Sequence, residues 1–102
     1  MMGRFTESPR KQVLGFKVPV ATTLETRLLG LAFLEAGQAG EGLLIPRCRS
    51  VHTFGMRFDI DLVFLDADAR VIELRRAVPP WRVVRCGEAE AVLELPSPGP
   101  GL

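Results

Sequence analysis

Residues 48–66 read Cys48-Arg-Ser-Val-His52-Thr-Phe-Gly-Met56-Arg-Phe-Asp59-Ile-Asp61-Leu-Val-Phe-Leu-Asp66. The second half decides the fold. From Ile60 to Leu65 apolar side chains occupy both alternating positions once Asp61 is passed, the pattern of a strand covered on both faces. The first half carries the chemistry: it holds the only histidine and one of the two cysteines. Val51 to Met56 reads as a second strand, and Arg57-Phe58-Asp59 as a tight connection that folds the two antiparallel. That pairing brings His52 toward Asp61 diagonally, or through a bulge at Gly55.

Downstream, Asp66-Ala67-Asp68-Ala69 has turn composition, and Arg70 to Arg75 returns as a hairpin partner with Val71, Ile72 and Leu74. Pro79-Pro80 interrupts the chain before Trp81, which is expected to be buried at the mouth of the sheet. Arg82 to Arg85 and Ala91 to Leu95 are further strands. Upstream, Leu43-Leu44-Ile45 is a short apolar strand, and Phe16, Val18 and Val20 alternate with Lys17 and Pro19 as a half-buried edge strand. Between them Thr22-Thr23-Leu24-Glu25 resembles a capping box, opening a helix to about Glu35 with Leu24, Leu28, Leu31 and Leu34 on its apolar face. Gly30 inside that pattern costs about 1 kcal/mol against alanine, which points to close packing against another element.

These readings give an α+β fold: one helix packed on a curled, mostly antiparallel, barrel-like sheet of about six or seven short strands. Residues 1–10 form a flexible lead, 11–96 a single domain and 97–102 a Pro/Gly tail. At 102 residues, 47% hydrophobic and 25% charged, the chain suits one ordinary core without a metal or disulfide. A net charge of +1 with scattered arginines, densest at Arg47, Arg49 and Arg57, lacks the aromatic platform of a single-strand binder, so no nucleic acid is expected. No run is long enough to span a bilayer, and no apolar leader precedes Lys11, so a cytoplasmic protein with reduced thiols and no membrane partner is expected.

Three groupings could carry chemistry. Cys48, His52 and Met56 are soft or borderline metal ligands spaced by three residues. On an extended segment consecutive members stand about 13 Å apart, too far to share an ion, so no metal site and no cofactor are expected. Asp59 and Asp61 share one side of a strand about 6.6 Å apart, a spacing that suits an acid–base pair and equally a solvated face. Asp61 enters a buried face and needs backbone amides or a cation there. His52 offers an imidazole, the side-chain type whose charge changes near neutral pH. Cys86 has no activating cation beyond Arg85 and reads as inert.

The central stretch, with Arg27-Leu-Leu-Gly30-Leu31, Gly42-Leu43-Leu44 and Val92-Leu-Glu94-Leu-Pro96, resembles domain-of-unknown-function family 192, small prokaryotic proteins. The likeness covers about residues 20 to 96. It implies a small α+β, barrel-like domain and no established activity. By motif position it singles out Arg27, His52, Thr53, Met56, Asp61 and Glu94. Asp59 stands where many relatives have proline, which weakens a paired-acid enzyme. The chain also ends in a Pro/Gly tail where relatives continue with a further element.

The first expectation is therefore a non-catalytic accessory module that binds a small ligand or peptide at Arg27, His52, Thr53, Met56 and Asp61. The alternative is a hydrolase-like enzyme with His52 as general base, oriented by Asp61 or Glu94. Soft-metal binding through Cys48, His52 and Met56 comes third. Three prolines after Leu95 are expected to guard the last strand's edge and keep the protein a monomer rather than a dimer.

Overall fold

The apolar run Ile60–Leu65 is a strand whose six residues are all buried, as its pattern requires. The computed structural model that shows this describes residues 3–98. In chain order the elements are β1 (Arg10–Val13), β2 (Phe16–Pro19), α1 (Leu24–Leu29), a 3₁₀ turn (Ala36–Gln38), β3 (Leu43–Pro46), β4 (Ser50–His52), β5 (Ile60–Leu65), β6 (Val71–Val78), β7 (Val83–Arg85) and β8 (Ala91–Pro96).

The main sheet has four antiparallel strands in the order β3-β8-β5-β6, and β1-β2 and β4-β7 form separate two-stranded ladders. The α+β class holds, with one short helix. The barrel does not: among the described residues the sheets are not closed on one another, and the strands number eight rather than six or seven. Cross-strand partners share a face, so the register sorts the side chains. Ile60, Leu62 and Phe64 lie with Leu43, Ile45 and Val92 in one cluster, closed by Leu31, Val51, Met56 and Val84. Val63 and Leu65 lie with Leu44 and Leu93 in a second cluster, covered by Val13 and Val18 of the β1-β2 hairpin. The sheet is thus the middle layer of the domain.

Five expectations are corrected. The helix stops at Leu29 instead of Glu35, because Gly30 takes φ 53 and ψ −126, a conformation that ends the helical path. Its cap lies one residue later than read, since Thr23 Oγ1 accepts from the Thr26 amide while the Thr23 amide donates to Thr26 Oγ1. The chain then turns inward, so Leu31 is fully buried while Leu24 and Leu28 are exposed. Residues 57–59 do not fold β4 onto β5: β4 pairs with β7, and β5 lies between β8 and β6. Finally, β8 is no edge. It is flanked by β3 and β5, with Pro96 inside it opposite Ile60, so the expected guarded edge is absent there among the described residues; Pro100 lies outside them. Trp81 is 71% exposed, held at φ 68 with its ring 5.7 Å from Phe54, rather than buried.

Of the lead, residues 3–10 are described, with Phe5 packed on the core and Arg4 donating to Gly30 O at 2.7 Å; residues 1 and 2 fall outside the described residues. Of the tail, Ser97 and Pro98 are described, and the Ser97 amide donates to Asp59 O at 2.9 Å; residues 99–102 fall outside the described residues.

Candidate functional site

Strand β8 alternates faces, and its inner face carries Val92 and Glu94. Glu94 stands between Leu43 and Leu62 in the ladder and is 2% exposed. A carboxyl group here has left water for an apolar layer, and burial pushes it up from 4.5 to about 8, opposed only by a backbone hydrogen bond from Leu31. Glu94 Oε1 is the one buried side-chain N or O atom without a hydrogen-bond partner among the described residues. Such an atom costs free energy as long as nothing reaches it.

Glu94 lines a cavity of about 120 Å³, walled by Ile45, Val51 and Leu28 and bordered by Arg27, Cys48 and His52. Gly30 forms the side nearest the carboxyl: a Cβ there would stand 2.5 Å from Glu94 Oε1. The same glycine therefore ends the helix and leaves room for the buried acid. Gly30→Ala is expected to destabilise the domain by about 2 kcal/mol, from backbone strain plus displacement of a side chain with nowhere to go. Urea unfolding followed by circular dichroism measures it; an unchanged midpoint would mean the backbone relaxes freely at this turn.

The residues singled out in the sequence fall into two groups. Arg27, Cys48, His52 and Glu94 border the cavity. Arg27 donates to Pro46 O at 2.6 Å and Arg47 O at 3.1 Å, which ties α1 to the chain after β3. His52 has Nε2 2.8 Å from Leu28 O, while its Nδ1 accepts from the Phe54 amide at 3.2 Å. A carbonyl only accepts and a backbone amide only donates, so the ring carries its proton on Nε2 and both nitrogens are engaged. Cys48 directs its thiol to Ser50 O at 3.3 Å, and burial pushes that thiol up.

Thr53, Met56 and Asp61 lie elsewhere. Thr53 is fully buried, donates to Pro79 O at 2.7 Å and accepts from the Arg82 amide at 2.8 Å. Met56 is a core side chain. Asp61 pairs across the ladder with Leu95 and so faces the opposite side of the sheet from Glu94. There β6 bulges: Ile60 faces Val78 and Leu62 faces Arg75, leaving Arg76 and Ala77 opposite Asp61. The Ala77 amide, at φ 52, donates to Asp61 Oδ1 at 2.8 Å, and Arg76 Nε stands 3.9 Å from Oδ2. The convergence of His52 with Asp61 is therefore corrected, since β4 and β5 are not partners and Asp61 caps a bulge on the other face. Cys48, His52 and Met56 do not assemble either, because Met56 is in the core and the His52 nitrogens are taken. Among the described residues no group of three or more His, Cys, Asp or Glu side chains could hold a metal ion.

Wider hollows exist on the surface, including one of about 360 Å³ beside Thr22 and Thr26, but none contains a buried unpartnered polar atom. The role of Gly30 was visible in the sequence only as a glycine that fits poorly inside a leucine-rich helix pattern. Nothing local marked Ser50, which also borders the cavity.

A three-layer α+β domain of this kind has been solved before. The chain is similar to a protein of unknown function from Novosphingobium aromaticivorans, with 24% identity, a TM-score of 0.68 and 81% of this chain covered. It spans 64% of that protein, less than two thirds of its length. It is also similar to a candidate transcription regulator from Sinorhizobium meliloti, with 19% identity, a TM-score of 0.70, and 86% of this chain and 78% of that one covered. At these identities the likeness is one of fold. Among curated proteins nothing matches. The chain belongs to domain-of-unknown-function family 192, described as Uncharacterized ACR, which matches residues 5–98.

Proposed function

We propose that the domain is a non-catalytic binding module whose cavity at Glu94 receives a hydrogen-bonding group of a small ligand or peptide. The observation that carries this reading is Glu94, which lines a cavity of about 120 Å³ and whose buried Oε1 has no partner. A fold tolerates such an atom more readily where a ligand completes it. Arg27 and His52 serve the site by shaping its mouth, each through hydrogen bonds to backbone carbonyls.

The catalytic alternative has Glu94 and His52 on one cavity in its favour. It asks His52 to act as a base, and the ring has no uncommitted lone pair while Nδ1 accepts from Phe54. The binding reading needs no such rearrangement. Both cysteines are free thiols, which suits a reducing cytoplasm. No helix among the described residues is long and apolar enough to cross a membrane. We take the protein as a monomer because β6, an outer strand of the main sheet, is blunted by its bulge and by exposed Arg75 and Arg76.

Titration of isotope-labelled protein with a library of small polar fragments tests the reading. Hits are expected to shift the backbone amides of Gly30, Leu31, His52 and Glu94 together, and Glu94→Ala is expected to weaken them about tenfold or more. Hits that leave those amides unmoved and gather elsewhere would overturn it.

A further inference from the structure

We infer that the ligand of this cavity is a small amino-carboxylate, its ammonium seated on Glu94 and its anionic end on Arg47 and Arg49. The inference rests on the binding reading above and adds the polarity of the ligand. Inside, Glu94 lines the cavity, its Oε1 has no donor, and the carboxyl as a whole has only the Leu31 amide. Outside, the cavity shares Arg27, Cys48 and Ser50 with an open groove of about 610 Å³ that continues along Arg47, Arg49 and Glu90. Arg27 is committed to two carbonyl oxygens. The guanidinium groups of Arg47 and Arg49 have no hydrogen bond or ion pair among the described residues. The site is therefore acidic inside, and Arg47 and Arg49 against the single carboxylate Glu90 leave its entrance net basic.

A ligand of matching polarity is positive at its inner end and negative at its outer end. An inward carboxylate or phosphate would meet a largely desolvated carboxyl group, beside which like charge is costly. A neutral hydroxyl would satisfy Oε1 but would gain nothing from the charge Glu94 can carry. An ammonium supplies both donors and a counter-charge, and a charge-assisted hydrogen bond is roughly twice as strong as a neutral one. The inner volume of about 120 Å³ corresponds to a few water molecules at about 30 Å³ each, enough for the amine and one or two carbons. The rest of the ligand lies in the groove.

Binding of this kind moves a proton. The groups facing Glu94 are Arg27 from α1, Cys48 and His52 from the β4 side, and apolar Leu43, Ile45 and Leu62 from β3 and β5. His52 has both nitrogens engaged, and the Cys48 thiol is pushed up and stays protonated at neutral pH. Glu94 holds its proton in the empty cavity and gives it to solvent when an ammonium arrives.

Isothermal titration calorimetry at pH 7, in two buffers of different ionisation enthalpy, tests this with glycine, β-alanine and 4-aminobutyrate against glycolate and 3-hydroxypropionate. At least one amino-carboxylate is expected to bind about tenfold or more tighter than its hydroxy counterpart. Its binding should release close to one proton per ligand. In Glu94→Gln the proton release should vanish, and Arg47→Ala with Arg49→Ala should weaken the amino-carboxylate while leaving ethylamine unaffected. If hydroxy acids bind as well, if no proton is released, or if no amino-carboxylate binds while other fragments shift the cavity amides, the ligand class is wrong and the binding module stands. If nothing shifts those amides, both readings fall.

Discussion

Replacing Glu94 by glutamine is expected to stabilise the domain by several kcal/mol above pH 8 and to leave it unchanged below pH 4.5. The sign follows from where the proton sits. The unfolded chain ionises Glu94 near 4.5, whereas the folded chain keeps it protonated up to about 8. Between those values the native state holds a proton that the unfolded state has lost, so native stability falls as pH rises through the interval. Below it both states are protonated and nothing is lost; above it the loss is complete. At about 1.4 kcal/mol per pH unit the whole interval amounts to roughly 5 kcal/mol. That is a large share of the 5–15 kcal/mol or so typical of a small domain. Glutamine keeps the shape and cannot ionise, so the variant lacks this slope. Urea unfolding of both proteins at pH 4, 6 and 9 gives the difference directly, with the other titrating groups common to both. Parallel stability curves would show that Glu94 is ionised in the native protein, and the proton-release arm of the ligand experiment would then lose its source.

How far the sequence discloses this arrangement depends on whether a feature is local. Strands β3, β5, β7 and β8 are apolar runs of the right length, and Asp66 announces its turn. Its Oδ1 accepts from the amides of Asp68 and Arg70, at 2.8 and 2.9 Å, as a short acid in a turn is apt to do. The β1-β2 hairpin escaped notice because its turn is Leu14-Gly15, with φ 52 and 86, and leucine rarely takes a left-handed conformation. The legible alternation therefore begins only at Phe16. Leu24, Leu28, Leu31 and Leu34 fit a 3.6-residue period that predicts a longer helix than Leu24–Leu29. What breaks them apart is the backbone at Gly30, and its cause lies across the domain in Glu94. The site was less legible still. In Leu93-Glu94-Leu95 a glutamate between leucines has the pattern of a strand with one wet face, and only the family motif drew notice to it. Its burial follows from β8 being central between β3 and β5, a fact of topology. Asp61, by contrast, drew notice for entering an apolar run and turned out to serve a bulge in its neighbour, close to the expectation that it would take a backbone amide.

Thr53→Val is expected to cost about 3 kcal/mol, the largest stability loss from any single atom exchange in the central motif. The two side chains have nearly the same shape, so packing is preserved and only the hydroxyl is lost. That hydroxyl is fully enclosed and serves two backbone groups, donating to Pro79 O at 2.7 Å and accepting from the Arg82 amide at 2.8 Å. Neither has a substitute, because Pro79-Pro80 withholds two amides from the loop and the ladder between β4 and β7 does not reach beyond His52 and Val83. Each orphaned group costs about 1–3 kcal/mol. The backbone of Thr53 holds the same loop through its amide on Arg82 O and its carbonyl under the amides of Met56 and Trp81. The valine variant therefore loosens the loop without releasing it. Thr53→Ser separates the two contributions: it keeps the hydroxyl, loses one buried methyl, and is expected to cost about 1 kcal/mol. Urea unfolding followed by circular dichroism ranks them. A serine variant as damaged as the valine variant would mean that the methyl, and not the hydroxyl, holds residues 79–82 to the core. The ranking also bears on function, because Thr53 starts the segment that carries Phe54, whose amide fixes the Nδ1 of His52. If the loop loosens as expected, fragment binding at Glu94 should weaken only slightly, since Thr53 does not touch the cavity.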